Sequence, residues 1–455
     1  MVFTITRVVE DDEDNKGSTF KQYALAFIVS LLFFNHGVES HNLTISVHSG
    51  HFKTSDDVPW TTIALLLGAI FSLSLHGYLI DIWGRKFGIY LVILLQGASC
   101  IPFLITPNDI GTIIVHALTG VSTAAMFLSV PIYIREIIPT RSRGLMICLS
   151  AVMTCCGYLV KLVMSTDKML YLIAAMVLFE FCALIIVLES PSYLVRNGKI
   201  EKAKINMAKL KCLSPEDLHV TNKIKVLTEE SERAKPNGKF LISSLYRNKI
   251  YWDEIKVGFM LSTITVLGGS ILFLDQDKTL VQLKTSGDTE KALVLVCMTA
   301  GALVCVTLIE IVQRKYLLTF GYSIMVLSMG TLAVFTQADL TVTSLRWLPV
   351  AAHYVLIFGY GLTWCLPIVI LVEMLNLEIR ATVLAIIFTY AEILRLVHIL
   401  TLKKLEELFG VYTLFYIFAC INLYGAIYAL SVLPNINNKT VRQIERQMKR
   451  IPILK

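Results

Sequence analysis

The stretch that decides the fold lies at residues 77–86 and reads GYLIDIWGRK, because its last eight residues have a counterpart later in the chain. Residues 79–86 read LIDIWGRK, and residues 308–315 read LIEIVQRK. Five of the eight positions are identical, and the third position keeps an acid. Each copy follows a long apolar stretch. Such self-similarity indicates an internal duplication.

A second pair of segments supports the duplication. Glu136 precedes Arg143 by seven residues, and Glu373 precedes Arg380 by the same spacing. The two pairs are 237 residues apart, close to the 229 residues that separate the first two segments. The sequence therefore predicts two related six-helix halves in the same orientation, an arrangement typical of secondary transporters.

The composition is that of a membrane protein. Of 455 residues, 55% are apolar, and only 16% are charged, against roughly 25% in an average soluble domain. This composition excludes a disordered chain, a basic nucleic-acid-binding domain and a disulfide scaffold. A membrane span needs about 20 apolar residues, and inside lipid it must be helical. We find twelve such stretches, near 22–40, 60–83, 87–105, 109–133, 143–164, 168–189, 253–274, 291–312, 316–336, 346–371, 381–402 and 411–433.

The predicted fold class is an all-α membrane protein with twelve transmembrane helices in two halves. Basic residues of the short loops fall on one side, which the positive-inside rule makes cytoplasmic. The acidic run at 10–14 does not resemble a signal peptide. The expected parts are a cytoplasmic tail (1–21), a first half (22–189), a cytoplasmic helical linker (190–252), a second half (253–433) and a cytoplasmic tail (434–455).

The linker is lysine-rich and has helical spacing. Ala203, Met207 and Leu210 form one apolar stripe at i, i+4 and i+7. The chain has ten cysteines, mostly within spans, and no Cys/His spacing typical of a metal site. We therefore expect no disulfide framework, metal, cofactor or catalytic residue. Asn42 begins a glycosylation sequon on the predicted outer face, whereas the sequon at Asn438 is predicted to lie inside.

These segments resemble a known family. Residues 77–86 resemble the loop signature of the major facilitator superfamily, and residues 131–139, which read PIYIREIIP, resemble the narrower sugar-porter signature together with Arg143-Gly144. Glu189-Ser190-Pro191 resembles the motif that ends the sixth span of sugar porters. The chain looks most similar to insect facilitated trehalose and glucose transporters. The resemblance implies the major facilitator fold and facilitated diffusion of a small polar solute, trehalose or a hexose, through alternating access.

The resemblance also implies a gate at the cytoplasmic side. Acids and arginines there can form charge networks between the halves that hold the outward-open state and break when the inside opens, and weak pairs suit two nearly balanced states. The alternative is that these residues only cap helices and anchor the topology. The gate candidates are Asp81, Arg85, Glu136, Arg143, Glu373 and Arg380.

The sugar-binding positions depart from the sugar-porter pattern. Ser262 and Thr263 stand where the family has paired glutamines, and Gly268 stands where it has an asparagine. Pro367 is kept, but the usual tryptophan beside it is Ile368. Loss of side-chain amides removes groups that both donate and accept hydrogen bonds. The remaining candidates for substrate binding are Ser262, Thr263, Thr265, Thr389 and Trp364, with helix packing as the alternative reading of the four hydroxyl residues.

Charged residues within the predicted spans leave other functions open. Lys161, Glu180, Glu392 and Arg395 lie there, and the last two share a helix face and can pair. The alternatives are therefore a transporter of a non-sugar organic ion, or a transporter-derived sensor with little flux. The positions that match the proton-coupling acid and arginine of sugar symporters are Asn35 and His116, although His36, Glu39 and His41 leave a rearranged proton site open. The expected partners are a small solute and the bilayer, without nucleic acid. The default state is a monomer in the plasma membrane.

Overall fold

The computed structural model describes residues 17–48, 60–105, 109–234, 249–269, 288–338, 345, 347–377, 379–437, 439 and 441–449. Within these ranges the regular secondary structure is helical. The α-helices are α1 (Phe20–His48), α2 (Trp60–Trp83), α3 (Arg85–Ile105), α4 (Asp109–Ile137), α5 (Arg143–Leu159), α6 (Thr166–Ala183), α7 (Pro191–Arg196), α8 (Ile200–Lys211), α9 (Leu218–Ala234), α10 (Lys249–Leu267), α11 (Asp288–Leu308), α12 (Arg314–Gln337), α13 (Trp347–Thr363), α14 (Leu366–Met374), α15 (Arg380–Phe409), α16 (Val411–Ser431) and α17 (Val441–Met448).

The helices form the twelve-helix membrane fold that the sequence predicts. Seven segments of the described residues are long and apolar enough to cross a bilayer by themselves: α2, α4, α5, α12, α13 with α14, α15 and α16. Five further long helices, α1, α3, α6, α10 and α11, complete the twelve. Large apolar side chains such as Phe71 and Ile185 are each 77% exposed on the outer surface. So much exposed apolar surface is suited to lipid rather than to water.

The tenth span is interrupted, whereas the sequence predicts one continuous stretch over 346–371. Helix α13 ends at Thr363, and α14 begins at Leu366, so that Trp364 and Cys365 lie at a break. Pro367 in the first turn of α14 explains the break, because proline has no N–H to donate and its ring clashes with the carbonyl of residue 363.

Glycines set the closest helix crossings within the first half. A Cβ atom at Gly68 would overlap Ala117 O of α4, and one at Gly120 would overlap Leu65 O of α2. Helices α2 and α4 therefore touch through their backbones, as small residues allow in membranes. Gly37 and Gly157 produce the same contact between α1 and α5.

The two halves meet along two helix pairs. Helix α2 packs on α15, and α5 packs on α11. These two helix pairs are equivalent under the internal repeat. The repeated segments begin at the ends of α2 and α11, and the equivalent residues Arg143 and Arg380 begin α5 and α15. The candidate gate residues lie at one end of this interface.

Helices α7, α8 and α9 form a small bundle with its own core. Ala203, Met207 and Leu210 are all buried, which confirms the predicted stripe on α8. The bundle is attached to the first half, since Asn206 donates from Nδ2 to Glu189 O at 2.9 Å. We call the end of the membrane domain that carries this bundle the linker side.

Candidate gate and substrate site

A buried carboxylate holds the two halves together at the linker side. Glu136, at the end of α4, accepts hydrogen bonds from Arg85 Nε at 3.1 Å and from Arg380 Nη1 at 3.2 Å. The Ser190 hydroxyl also donates to it. The side chains of Arg85, Glu136 and Arg380 are 0% exposed. Since Arg380 belongs to the second half, the Glu136–Arg380 ion pair joins the halves directly.

Asp81 forms a second contact between the halves. Its carboxylate pairs with Arg85 at 3.3 Å and with Arg196 of the linker bundle. Thr382 of the second half donates to Asp81 Oδ2 at 3.4 Å. Asp81 therefore links the first half, the linker bundle and the second half.

Glu189 caps the start of α3. Its Oε1 atom accepts from the backbone N–H groups of Arg85 at 2.9 Å, Lys86 at 3.3 Å and Ser190 at 2.9 Å. The positive end of the helix dipole favours an acid at this position. Gly84 has φ +109°, and a Cβ there would overlap the Glu189 carboxylate, so the turn and the cap both require glycine.

Tyr193 fastens the linker bundle to the same loop. Its hydroxyl donates to Ile82 O at 2.5 Å, and the Arg85 guanidinium lies 5.2 Å from the ring centre. Burial raises the pKa of the Tyr193 phenol, and the negative charge of Glu189 acts in the same direction. The phenol therefore stays protonated and keeps its donor.

The second half repeats the arginine–glutamate arrangement. Arg314 Nη2 pairs with Glu373 Oε1 at 2.8 Å, at positions equivalent to Arg85 and Glu136. Arg143 Nε donates to Ile138 O at 3.1 Å, as Arg380 Nε donates to the equivalent Leu375 O at 3.3 Å. The structure thus brings Asp81, Arg85, Glu136 and Arg380 together, whereas the Glu373–Arg314 pair lies within one half.

Close contacts without charge also join the halves near this end. Cys148 Sγ of α5 lies 3.7 Å from Cys305 Sγ of α11. Cys365 Sγ lies 3.4 Å from Ile147 O. A Cβ at Gly77 would lie only 2.8 Å from Ala385 Cβ. The membrane domain is therefore closed on the linker side.

The short distance between the Cys148 and Cys305 thiols predicts that a disulfide between them would block transport reversibly. A disulfide needs an S–S distance of about 2.05 Å, which small side-chain shifts can reach from the observed separation. We expect a membrane-permeant oxidant to join Cys148 and Cys305, with the two thiols losing two protons and two electrons to the oxidant. Solute uptake should then fall at least about tenfold, and a reductant should restore it, because alternating access needs the two helices to separate.

The matched variant is Cys148→Ser, which removes the thiol that lies beside both Cys305 and Cys365 of the second half, and it should keep its uptake after the same oxidant. Mass spectrometry of peptides identifies the cross-link. Cross-linked protein with undiminished uptake would show that α5 and α11 do not separate during transport.

Two small cavities lie deeper in the membrane domain, and Trp364 lines both. Each is large enough for about one water molecule, so neither holds a sugar in this conformation. The first cavity lies between the halves and is lined by Phe33, Phe127, Pro131, Ile147, Ser150, Ala151, Trp364, Cys365 and Ile368. The second lies within the second half and is lined by Ile264, Thr265, Gly268, Tyr322, Met325, Tyr360, Thr363, Trp364 and Asn422.

The predicted substrate residues are only partly gathered at these cavities. Trp364 packs edge-on against Phe127 of the first half, with ring centres 6.0 Å apart. Thr265 lines the second cavity beside Trp364. The other three candidates, Ser262, Thr263 and Thr389, line neither cavity.

Each of the threonine hydroxyls donates a hydrogen bond to a carbonyl oxygen of its own helix. Thr263 donates to Phe259 O, Thr265 to Leu261 O and Thr389 to Ala385 O, at distances of 2.7–2.8 Å. The Thr263 hydroxyl also lies 2.8 Å from the Tyr390 hydroxyl. Such bonds to the preceding turn use the hydroxyl proton and leave the oxygen as an acceptor.

The sequence-based search missed Asn422 and Tyr322. Both are buried and line the second cavity, with Asn422 1% and Tyr322 3% exposed. A polar amide within an apolar span was the available signal for Asn422, since such residues are costly in lipid.

The charged residues within the spans have different surroundings. Arg395 Nη1 pairs with Glu392 at 2.7 Å, which confirms the expected ion pair on α15. Glu180 is buried on α6, lines neither cavity, and has no hydrogen-bond partner among the described groups. The side chains of Lys161 and Asn42 lie outside the described residues, as does Asn438.

Polar side chains also fill the middle of the first half. Asn35 Nδ2 donates to Gln96 Oε1 at 3.4 Å, and Glu39 Oε1 accepts from Thr119 at 2.9 Å. His116 lies 2.7 Å from the backbone oxygen of Thr112, one turn earlier on the same helix. The hydrogen bonds of Asn35 and His116 are thus within the first half.

Comparison with known proteins identifies the family. The family of sugar (and other) transporters matches residues 16–448 of this chain. The chain belongs to this family. It is 22% identical over 472 residues to the facilitated trehalose transporter Tret1 of Bombyx mori, covering 97% of this chain and 91% of that one. It is 24% identical over 402 residues to the putative metabolite transport protein YwtG of Bacillus subtilis (strain 168), covering 85% of both.

A solved structure supports the fold. The major facilitator proton:xylose symporter XylE, bound to 6-bromo-6-deoxy-D-glucose, superposes with a TM-score of 0.79 at 18% identity. The match covers 94% of this chain and 99% of that one. The predicted sugar-porter family and the major facilitator fold are thereby confirmed.

Proposed function

We propose that this protein carries a sugar, trehalose or a hexose, across a membrane by facilitated diffusion through alternating access. The observation that carries the proposal is the Glu136–Arg380 ion pair. It joins two related halves at the linker side, so that breaking it can open that end. Family membership and the trehalose-transporter relatives support the sugar as the solute.

The gate in this proposal consists of Asp81, Arg85, Glu136, Arg143, Glu373 and Arg380. Buried ion pairs gain about as much Coulomb energy as they lose by desolvation, so breaking and hydrating them changes the free energy little. This suits a protein whose two access states must have similar free energies. The linker side is cytoplasmic in the proposal, both termini lie there, Asn42 lies on the outer face, and the membrane is the plasma membrane.

Trp364 and Thr265 are the central members of the proposed substrate site. Trp364 borders both cavities at the break between α13 and α14, where it offers an apolar ring face to a sugar. Ser262, Thr263 and Thr389 complete the proposed site in the state that opens away from the linker side. The domain boundaries expected from the sequence are kept in this proposal.

Uptake by proteoliposomes tests the function. Purified protein should give saturable counterflow of labelled trehalose, glucose or fructose, whereas empty liposomes should give none. Thermal stabilisation by a sugar without flux would instead indicate a sensor. Saturable flux that depends on membrane potential would indicate an organic ion as the cargo. Failure of all three sugars to show saturable flux would refute the sugar proposal.

A further inference from the structure

The Asn422 amide, on α16, is held in one orientation inside the second half. Asn422 Nδ2 donates to Gly268 O at 2.7 Å and to Phe418 O at 2.8 Å. Turning the amide over would place its oxygen against two carbonyl oxygens, which would repel it. The hydrogen bonds therefore fix the oxygen, Oδ1, on the opposite side from these two carbonyls.

This oxygen lacks a partner within the described part of the chain, although its residue is only 1% exposed. A Cβ at Gly268 would lie 3.2 Å from Oδ1, so the missing side chain at Gly268 leaves the room that the amide uses. An unsatisfied acceptor in a buried site loses the hydrogen bonds that water would give it. A group that donates a hydrogen bond is therefore favoured next to Oδ1.

The second cavity, which Asn422 lines, holds further polar groups. Thr265 has committed its proton to Leu261 O, so its oxygen can accept but its hydroxyl does not donate into the cavity. Tyr322 places its hydroxyl beside Thr265 in the same cavity. That hydroxyl can donate as well as accept, and it is buried without a hydrogen-bond partner among the described groups. This lining suits a ligand group that both donates and accepts a hydrogen bond and is no larger than a water molecule, and a hydroxyl group meets these conditions.

We propose that Asn422 Oδ1 accepts a hydrogen bond from one hydroxyl group of the transported solute and thereby selects for solutes that carry it. The inference rests on the proposed sugar transport and adds a specificity-determining residue to it. The competing occupant is one buried water molecule that satisfies Oδ1 and never exchanges for solute.

Comparing glucose with its deoxy analogues in the wild type and in variants distinguishes a solute hydroxyl at Asn422 Oδ1 from a buried water molecule there. Uptake of labelled glucose into proteoliposomes is measured in the presence of unlabelled glucose or of one of its monodeoxy analogues, each lacking one hydroxyl. The inhibition constants then compare the binding of each analogue with that of glucose. In the wild type we expect one analogue to bind about tenfold more weakly than glucose, the loss of one hydrogen bond in a closed site. In Asn422→Leu, which is similar in size and has no polar group, that difference should fall to about twofold or less.

Two further variants keep the test decisive. Asn422→Ala, with a smaller side chain and no polar group, replaces the leucine variant if the latter does not fold, and it should show the same loss of discrimination. Thr331→Val is the control, because Thr331 is half-buried on α12, lines neither cavity, and donates its hydroxyl proton to Leu327 O of its own helix at 2.9 Å. It should discriminate among the analogues as the wild type does.

The outcomes separate the inference from the function on which it rests. Equal weakening of glucose and all analogues in Asn422→Leu would show that Asn422 only braces α10 or holds water, and would overturn the inference while sugar transport stands. If the wild type shows saturable flux of trehalose or fructose but not of glucose, that sugar and its deoxy analogues take the place of glucose in the test. A wild type without saturable flux of any of the three sugars would refute the proposed function, and the solute contact with it.

Discussion

Replacing Glu136 with glutamine is expected to lower sugar uptake at least about tenfold and to shift the protein away from the state that is closed on the linker side. Glu136 neutralises two guanidinium groups, those of Arg85 and Arg380, and both are 0% exposed. Glutamine keeps the shape but removes the carboxylate that bonds to Arg380 and leaves Arg85 with Asp81 as its ion-pair partner. Removing one partner of a buried pair costs about 3–5 kcal/mol.

Most of this cost should fall on the closed state, since Arg380 reaches Glu136 across the interface between the halves. A change of about 3–5 kcal/mol corresponds to a population shift of more than about 100-fold. Two measurements check this: uptake by proteoliposomes, and the yield of the Cys148–Cys305 cross-link, which should fall as the linker side opens.

Glu201→Gln is the matched control. Glu201 pairs with Lys204 at 3.0 Å, but its side chain is 80% exposed, and such pairs contribute about 0–1 kcal/mol. Wild-type uptake and cross-linking are expected for this variant. Equal behaviour of Glu136→Gln and Glu201→Gln would rule out Glu136 as a gate residue.

Gly77→Ala is expected to lower uptake by roughly five- to a hundredfold by holding the halves apart. The added methyl carbon would lie 2.8 Å from Ala385 Cβ, well inside the 3.5–4.0 Å at which carbon atoms pack. Overpacking of this kind costs about 1–3 kcal/mol, which gives the stated range. The contact joins α2 to α15, so the penalty applies when the linker side is closed.

The rescue is the decisive part of this experiment. Ala385→Gly removes the atom that the new methyl group would meet, so the double variant should regain most of the lost uptake. Ala385→Gly alone provides the baseline, including its helix-propensity cost of about 1 kcal/mol. Additive losses in the double variant would mean that Gly77 and Ala385 do not meet during transport.

The sequence predicts the fold well because the repeat and the apolar stretches are local patterns. The copies at 79–86 and 308–315 place Arg85 and Arg314 at equivalent helix starts, and the structure gives each a buried glutamate partner. Glu392 and Arg395 pair because a spacing of three already places them on one helix face. Each of these results depends on a pattern that the sequence shows directly.

The sequence predicts a charge network between the halves, but it does not predict which residues pair. Nothing in the spacing indicates that Arg380 bonds to Glu136, 244 residues away, while Glu373 pairs within its own half. The role of Asn422 likewise depends on the empty side-chain position at Gly268 on another helix. Such contacts follow from how helices dock in three dimensions. The repeat alone does not decide which arginine pairs with which glutamate.

The glycine crossings have a mechanical consequence. At Gly68 with Gly120, and at Gly301 with Phe358 O in the second half, backbone lies against backbone. No side chain at these crossings can change rotamer, so each pair of helices has few internal degrees of freedom. We therefore expect the free energy of solute binding to go into rotation of one half against the other, instead of being dissipated in local rearrangement.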